Sequence, residues 1–151
     1  MTIRVTDPAD PAAARLVAAF FEEIAARYPG FDPARQPAAP LEAFTEPRGG
    51  AFLLAELDGA AVGCAGIQRL TPAIVELRRV FVLPTARRRG VARALLDSTL
   101  ETARSRGYER IRLDTGDRLP EAVALFRAAG FQEIDDYNGN PYAAHWMELV
   151  L

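Results

Sequence analysis

Residues 80–96, VFVLPTARRRGVARALL, constrain this chain more than any other stretch. An apolar run with the look of a strand stops at Pro84. Arg87, Arg88 and Arg89 follow, then Gly90, and an apolar helical pattern begins at once. The first turn of a helix carries free backbone N–H groups and a partial positive charge. A glycine there lets a ligand approach the main chain, and phosphates bind such termini. Arginines at that end oppose the helix macrodipole, so their placement costs a little stability unless an anion joins them. The segment therefore reads as a site for a phosphate, with pyrophosphate expected and the guanidiniums as charge-assisted donors. The plain alternative is a solvated basic helix start.

The basic cluster is local. The chain of 151 residues has a formal net charge of −2 and a pI of about 5.5. A domain built around the arginine run to bind nucleic acid is a possible reading, but the acidic balance and the lack of a broader basic stripe argue against it. The length fits one domain over residues 1–151. No apolar stretch approaches the ~20 residues of a membrane helix, and the N-terminus has no signal core. Cys64 is the only cysteine and His145 the only histidine, so no zinc site of the usual kind is expected and no metal is assigned. A lone cysteine also fits a reducing cytosol, and a cytoplasmic location is expected.

Around that segment the elements can be read in order. TIRVT (2–6) is a strand. A helix runs from about Pro11 to Tyr28, with Asp10 as N-cap and Leu16, Phe20 and Ile24 on one face. Residues 29–50 are proline-rich, a loop around one short helix near 41–44. Strands at 51–57 and 61–70 are joined by a tight turn, and a longer strand at 73–83 ends at Pro84. The helix after Gly90 has Gly107 as its C′ residue. A strand at 108–115, a helix from about Pro120 to Ala129, and final strands in FQEIDDY and HWMELVL complete the chain. This order suggests a mixed α/β or α+β sheet.

There is no G-x-x-x-x-G-K-[ST] and no G-x-G-x-x-G opening a βαβ unit, so P-loop and dinucleotide sites are not expected. What stands here is V-x-P-x-x-R-x-x-G-x-A: Val82, Pro84, Arg87, Gly90 and Ala92. In spacing and context it resembles motif A of the GNAT superfamily of acyl-CoA-dependent N-acyltransferases. ALFRAAGF (124–131) resembles that family's A-x-x-[YF]-x-x-x-G-F segment. The order of elements agrees over nearly the whole chain.

The resemblance implies an α/β (α+β) acyl-CoA N-acyltransferase fold, with a mixed central sheet of about six or seven strands flanked by about four helices. It implies acetyl-CoA (coenzyme A) as cosubstrate. The strand ending in Val80, Phe81 and Val82 should splay from its neighbour so that the pantetheine arm pairs with its backbone. The pyrophosphate should sit on the N–H groups of 88–93, which brings in Val91, Ala92 and Arg93 beside the arginines and Gly90. A backbone N–H near Val82 is expected to face the developing oxyanion. The acceptor is expected to be a primary amine of a small molecule or peptide, with no nucleic acid and no membrane as partner. Relatives often form homodimers.

An alkyl ammonium titrates near ~10.4 and must lose its proton before it attacks. Glu76 interrupts an apolar run, and strict alternation puts it on the face of Val80 and Val82. The resemblance implies that it is the base, often through water. The alternative is an exposed glutamate paired with Arg78 or Arg79. Where relatives often have an acid tyrosine, this chain has Phe126, which can pack beside the thioester but cannot donate a proton. Tyr137 and Tyr142 are substitute acids or pocket walls. Cys64 reads as a packing residue, and His145 as a packing residue with a base as the alternative. Asp114 and Thr115 read as caps of the following loop, with contact to the pantetheine or the acceptor as the alternative, and Trp146 and Met147 as core. The acceptor pocket is expected between residues 29–46, the start of the third hairpin strand and the turn at 137–145. A non-catalytic acyl-CoA-binding regulatory module is the alternative function.

Overall fold

Strands β2 (Ala51–Leu57) and β3 (Ala60–Arg69) turn through Asp58 and Gly59, at φ 51° and 79°. A two-residue hairpin needs that left-handed backbone, and an Asp-Gly pair tolerates it. In the computed structural model, which describes all 151 residues, this hairpin belongs to a seven-stranded sheet. β1 (Thr2–Thr6) pairs antiparallel with β2, and β4 (Ile74–Val82) antiparallel with β3. β5 (Arg110–Thr115) lies parallel to β4. β7 (His145–Val150) runs antiparallel to β5 and carries the short β6 (Gln132–Ile134) at the edge. The order is β1-β2-β3-β4-β5-β7-β6.

Three α-helices flank the sheet: α1 (Pro11–Arg27), α2 (Val91–Ser105) and α3 (Pro120–Ala128). The expectation of about four is corrected. The segment near 41–44 is a 3₁₀ turn, one of three between α1 and β2 at Pro33–Arg35, Leu41–Phe44 and Glu46–Arg48. Pro33, Pro37, Pro40 and Pro47 leave no run in which an i→i−4 ladder can propagate. α1 begins as expected: Asp10 accepts a hydrogen bond from the Ala12 N–H at 2.8 Å, and Pro11 opens the first turn.

Alternate residues of β2 feed two cores. Ala51, Leu53 and Ala55 join Leu95, Leu96, Leu100 and Phe126 on the face covered by α2 and α3. Phe52 and Leu54 join Ala13, Leu16 and Phe44 on the α1 face. Truncating such a buried leucine to alanine typically costs ~2–5 kcal/mol.

β4 breaks its alternation once. Cys64 stands opposite Phe81, but Gly66 stands opposite Arg78, so Arg79 and Val80 together oppose Ala65. Arg79 takes φ 59°, a left-handed conformation in the extra residue of a bulge. Val75 and Leu77 consequently share the α2 face with Val82, and Val80 packs against the same cluster. Phe81 falls on the α1 face with Cys64. The strict alternation that put Glu76 with Val80 and Val82 is therefore corrected: the inserted residue reverses parity, and Glu76 shares its face with Phe81.

β4 and β5 pair only at Ile74↔Arg110, Val75↔Ile111 and Glu76↔Arg112. Beyond Glu76 the two strands part, and the β5-facing edge of Val80–Val82 has no strand partner. No helix is long and apolar enough to cross a membrane.

Candidate active site

The parted strands open a cleft of about 590 Å³. One wall is Val80, Phe81 and Val82; another is Phe20, Glu23, Ile24 and Arg27 of α1; a third is Leu119, Glu121, Ala122 and Leu125 at α3. The start of α2 forms its end, through Arg87, Arg88, Gly90, Val91, Ala92 and Arg93. No side chain caps the first turn of α2. Gly90, at φ 78°, is its N-cap, and a Cβ built there would meet nothing within 4 Å. The main chain at this point is open to a ligand, the geometry in which helix N-termini hold phosphates.

The arginines divide. Arg87 is not the free donor expected of it: its Nε donates to the Val82 carbonyl at 2.9 Å and its Nη2 to Glu23 Oε1 at 2.6 Å, above the Phe81 ring. It ties the end of β4 to α1. Arg88, at φ 62°, and Arg89 are exposed. Arg93 pairs with Asp97 at 2.9 Å on the helix surface. Val91 is buried in the core, and half-buried Ala92 packs against it.

A smaller pocket, about 120 Å³, adjoins the cleft and shares Phe20, Ile24, Val80, Leu119 and Ala122 with it. It lies where β4 and β5 diverge, between Leu77–Val80 and Leu113–Gly116, with Phe21, Tyr28, Gln36, Phe126, Asn140 and Tyr142 around it.

Two neighbouring carboxylates differ in kind. Glu76 is 1% exposed. It accepts from Gln68 at 2.9 Å, Arg78 at 2.8 Å and Tyr137 at 2.6 Å, with the Asn138 amide at 3.4 Å. Burial alone would push its carboxyl up; the Arg78 charge and the hydrogen bonds from Tyr137, Arg78 and Gln68 outweigh it and hold the group below the usual glutamate value. Asp114 lines the smaller pocket and accepts only from amides, Asn138 at 2.5 Å and Asn140 at 3.0 Å. Burial dominates there, and its carboxyl is pushed above the usual aspartate value.

With this geometry in place, a model of the acetyltransferase (GNAT) family matches residues 17–131. The chain belongs to the GNAT acetyltransferase family. It is 37% identical over 97 residues to the uncharacterized N-acetyltransferase YjgM of Escherichia coli, covering 62% of this chain and 58% of that one. A GNAT-family acetyltransferase from Staphylococcus aureus has the same fold, with a TM-score of 0.80 at 22% identity over 99% of each chain. A GNAT acetyltransferase from Elizabethkingia anophelis, solved with acetyl-CoA bound, matches with a TM-score of 0.72 at 16% identity over 99% of this chain and 97% of that one. The chain spans 58%, 48% and 65% of the length of three curated relatives that it matches.

Phe126 is buried edge-on against Phe131, 5.7 Å between centroids, and lines the smaller pocket. Tyr137 donates its O–H to Glu76; burial first, and the Glu76 charge second, raise its pKa far above an ordinary phenol. Tyr142 receives the Asp32 N–H on its hydroxyl at 2.8 Å and packs on Phe31 at 4.8 Å. His145 contacts Glu133 through Nδ1 at 2.7 Å, outside both pockets. Met147 is core, as expected, but Trp146 is only half-buried and donates its indole N–H to Asn138 at 2.9 Å. Cys64 is buried, and desolvation pushes its thiol up to about 12. Thr115 and Asp114 both line the smaller pocket, and the Asp114 carboxylate accepts from Asn138 and Asn140 rather than capping the loop after β5.

Proposed function

We propose that this chain transfers an acetyl group from acetyl-CoA to a primary amine of a small molecule or peptide, by direct attack within a ternary complex. The observation that carries the reading is the parting of β4 from β5 beside an uncapped α2 N-terminus, which leaves one cleft reaching from the strand edge to the open backbone at Gly90. The strand edge of Val80–Val82 that faces away from β3, free of a strand partner though Arg87 holds the Val82 carbonyl, suits an extended amide-bearing arm, and the first turn of α2 with Arg88 suits a diphosphate. Acetyl-CoA would supply the activated acyl group; the chain's own part is to bind, orient and deprotonate.

Proton removal from the amine falls to Asp114 in this reading. Its carboxyl opens on the smaller pocket, its pKa lies above the ordinary value, and its partners are neutral amides. It can take a proton without dissolving an ion pair. Glu76 would have to give up Arg78 and compete with the donors around it. Its part is then to hold Tyr137 and Asn138 in place. Phe126 has no proton to give to the leaving thiolate, and the Tyr137 hydroxyl already donates to Glu76. The Tyr142 hydroxyl accepts the Asp32 N–H and keeps its own proton, so Tyr142, on the wall of the smaller pocket, or water supplies that proton.

Phe126 in place of a proton donor, with the Tyr137 hydroxyl tied to Glu76, favours a second reading, a non-catalytic acyl-CoA-binding module. Thiol release from acetyl-CoA across a panel of amines tests the two. Release coupled to an N-acetyl product supports the transferase; coenzyme A binding by calorimetry, with no thiol released for any amine, supports the module; no binding at millimolar coenzyme A defeats both.

A further inference from the structure

We infer that the smaller pocket carries a carboxylate subsite built on Arg79, so that the acceptor is a small amine bearing a carboxylate of its own, an amino acid or close analogue. The inference rests on the acetyltransferase reading above and names the acceptor class for that site.

Arg79 lines this pocket, and its guanidinium lies over Phe21, another lining residue, at 5.5 Å and over Phe44 at 4.9 Å. It is half-buried, yet no carboxylate in the chain pairs with it. A single hydrogen bond from Nη2 to the Ala39 carbonyl, at 3.0 Å, is the one contact its N–H groups make with the protein. No side-chain nitrogen in the chain is both buried and without a partner, so the remaining donors of Arg79 are not sealed from solvent. Its neighbour Arg78 is a contrast: that guanidinium is bound to Glu76 at 2.8 Å and to the Pro37 carbonyl at 3.2 Å.

A partly desolvated cation without a counter-charge is costly. Aromatic faces offset part of that cost. The planar guanidinium fork still has the geometry for a carboxylate. Burial, and then the charge of Arg78, disfavour the charged form of Arg79, and the opposite charge of an incoming anion would counterbalance both. The backbone supports the same reading. The bulge holds Arg79 at φ 59°, a conformation costing roughly 1–2 kcal/mol for a residue other than glycine, and it re-aims the side chain as bulges beside binding sites do. The Cys64 thiol donates to the Arg79 carbonyl at 3.3 Å and helps fix the bulge.

The pocket's charges are ordered as a zwitterion requires. Its charged lining residues are Arg78, Arg79 and Asp114. Arg78 is neutralised by Glu76, which leaves one free cation, for a carboxylate, and Asp114, for the ammonium before it loses its proton. At about 120 Å³ the pocket is small beside the 590 Å³ cleft, which suits a compact head group.

Matched acceptors test the assignment: phenylalanine against 2-phenylethylamine, and leucine against isopentylamine, read as kcat/KM for thiol release from acetyl-CoA. The carboxylated member should be preferred by about tenfold or more, the scale of one charge-assisted pair. Arg79→Asn, neutral and tolerant of the left-handed backbone, should abolish the preference, and Arg79→Lys should keep only part of it. Coenzyme A affinity by calorimetry should stay within about twofold of wild type in both, and melting curves would show that each is folded. Equal use of both members, or a preference that survives in Arg79→Asn, overturns the subsite while leaving the transferase standing. Coenzyme A binding without any thiol release, or no coenzyme A binding, removes the transferase and the subsite with it.

Discussion

The side-chain amide of Asn138 donates to Asp114 Oδ2 at 2.5 Å, and the same nitrogen lies 3.4 Å from Glu76 Oε2. Asn138 is itself held through its Oδ1, which accepts from the Trp146 indole at 2.9 Å and the Asn140 N–H at 3.1 Å. A surface turn thus reaches back to join two carboxylates from adjacent strands, one rich in cationic and hydroxyl donors and the other restricted to amides.

Asp114→Asn should lower kcat by about 10²–10⁴-fold, the usual worth of a positioned base, with coenzyme A affinity unchanged. A base works only when ionised, and the pKa of Asp114 is raised by burial. The acidic limb of the wild-type rate profile should therefore lie above the ordinary aspartate value of ~3.9, and the variant should lose that limb. Steady-state rates from pH 4 to 9 would show it; a variant with wild-type rates at every pH would clear Asp114 of the role.

Glu76→Gln should act on stability. Removing one partner of a buried ion pair typically costs ~3–5 kcal/mol, and Glu76 and Arg78 have side chains only 2% and 13% exposed. The sign with pH follows from the lowered pKa of Glu76. Its stabilisation is complete above the unfolded value of ~4.3 and drains away as pH falls through the lower folded value. Asp114, with its pKa raised, has the opposite sign and disfavours the fold as pH rises through that value. Urea midpoints at pH 7 and pH 3 should show the gap between wild type and Glu76→Gln narrowing in acid. A constant gap would contradict the pairing.

At Gly90 two substitutions separate backbone strain from ligand access. Gly90→Val puts a β-branched residue at φ 78° and should cost roughly 1–2 kcal/mol of stability as well as binding. Gly90→Asn tolerates that backbone, so the fold should survive while the new side chain crowds the open amides and weakens coenzyme A binding by about tenfold. Calorimetry on both variants, with unaltered affinity in Gly90→Asn, would refute the site.

Gly116→Ala addresses the acceptor side. A Cβ there would overlap the Tyr28 hydroxyl and come within 3.0 Å of the Tyr142 carbonyl oxygen, and both tyrosines line the smaller pocket. Overpacking of this kind costs about 1–3 kcal/mol. The amine KM should rise by about tenfold, while coenzyme A affinity holds. A parallel loss of coenzyme A affinity would mean that the two pockets are not separate binding regions.

Much of this architecture is local and could be read directly. Pro84 ends β4, Asp10 and Pro11 start α1, and Gly107, at φ 83°, follows α2 as its C′ residue. Each depends on the chemistry of one or two residues. The parity of β4 was not legible, because its left-handed position is filled by Arg79 rather than by a glycine that would have announced it. Arg87 looked free because its partner Glu23 lies 64 residues away on another element. The difference between Asp114 and Glu76 depends on the folded turn that brings Tyr137, Asn138 and Asn140 to them, and composition carries no trace of it. Trp146 read as core filler because its apolar bulk hides the single N–H that the turn requires.

The extra residue in β4 has a consequence for anyone redesigning this protein. In an uninterrupted strand, altering which side chains meet one layer also dictates which meet the opposite layer, since odd and even positions are locked together. Here the lock is broken midway, so residues 74–78 and 80–82 can vary as independent sets. Deleting Arg79 would restore plain alternation and leave Val80, Phe81 and Val82 on their present faces, so the insertion can be removed without turning either set over. Grafts from a chain lacking the insertion must therefore be matched by sheet face rather than by residue count.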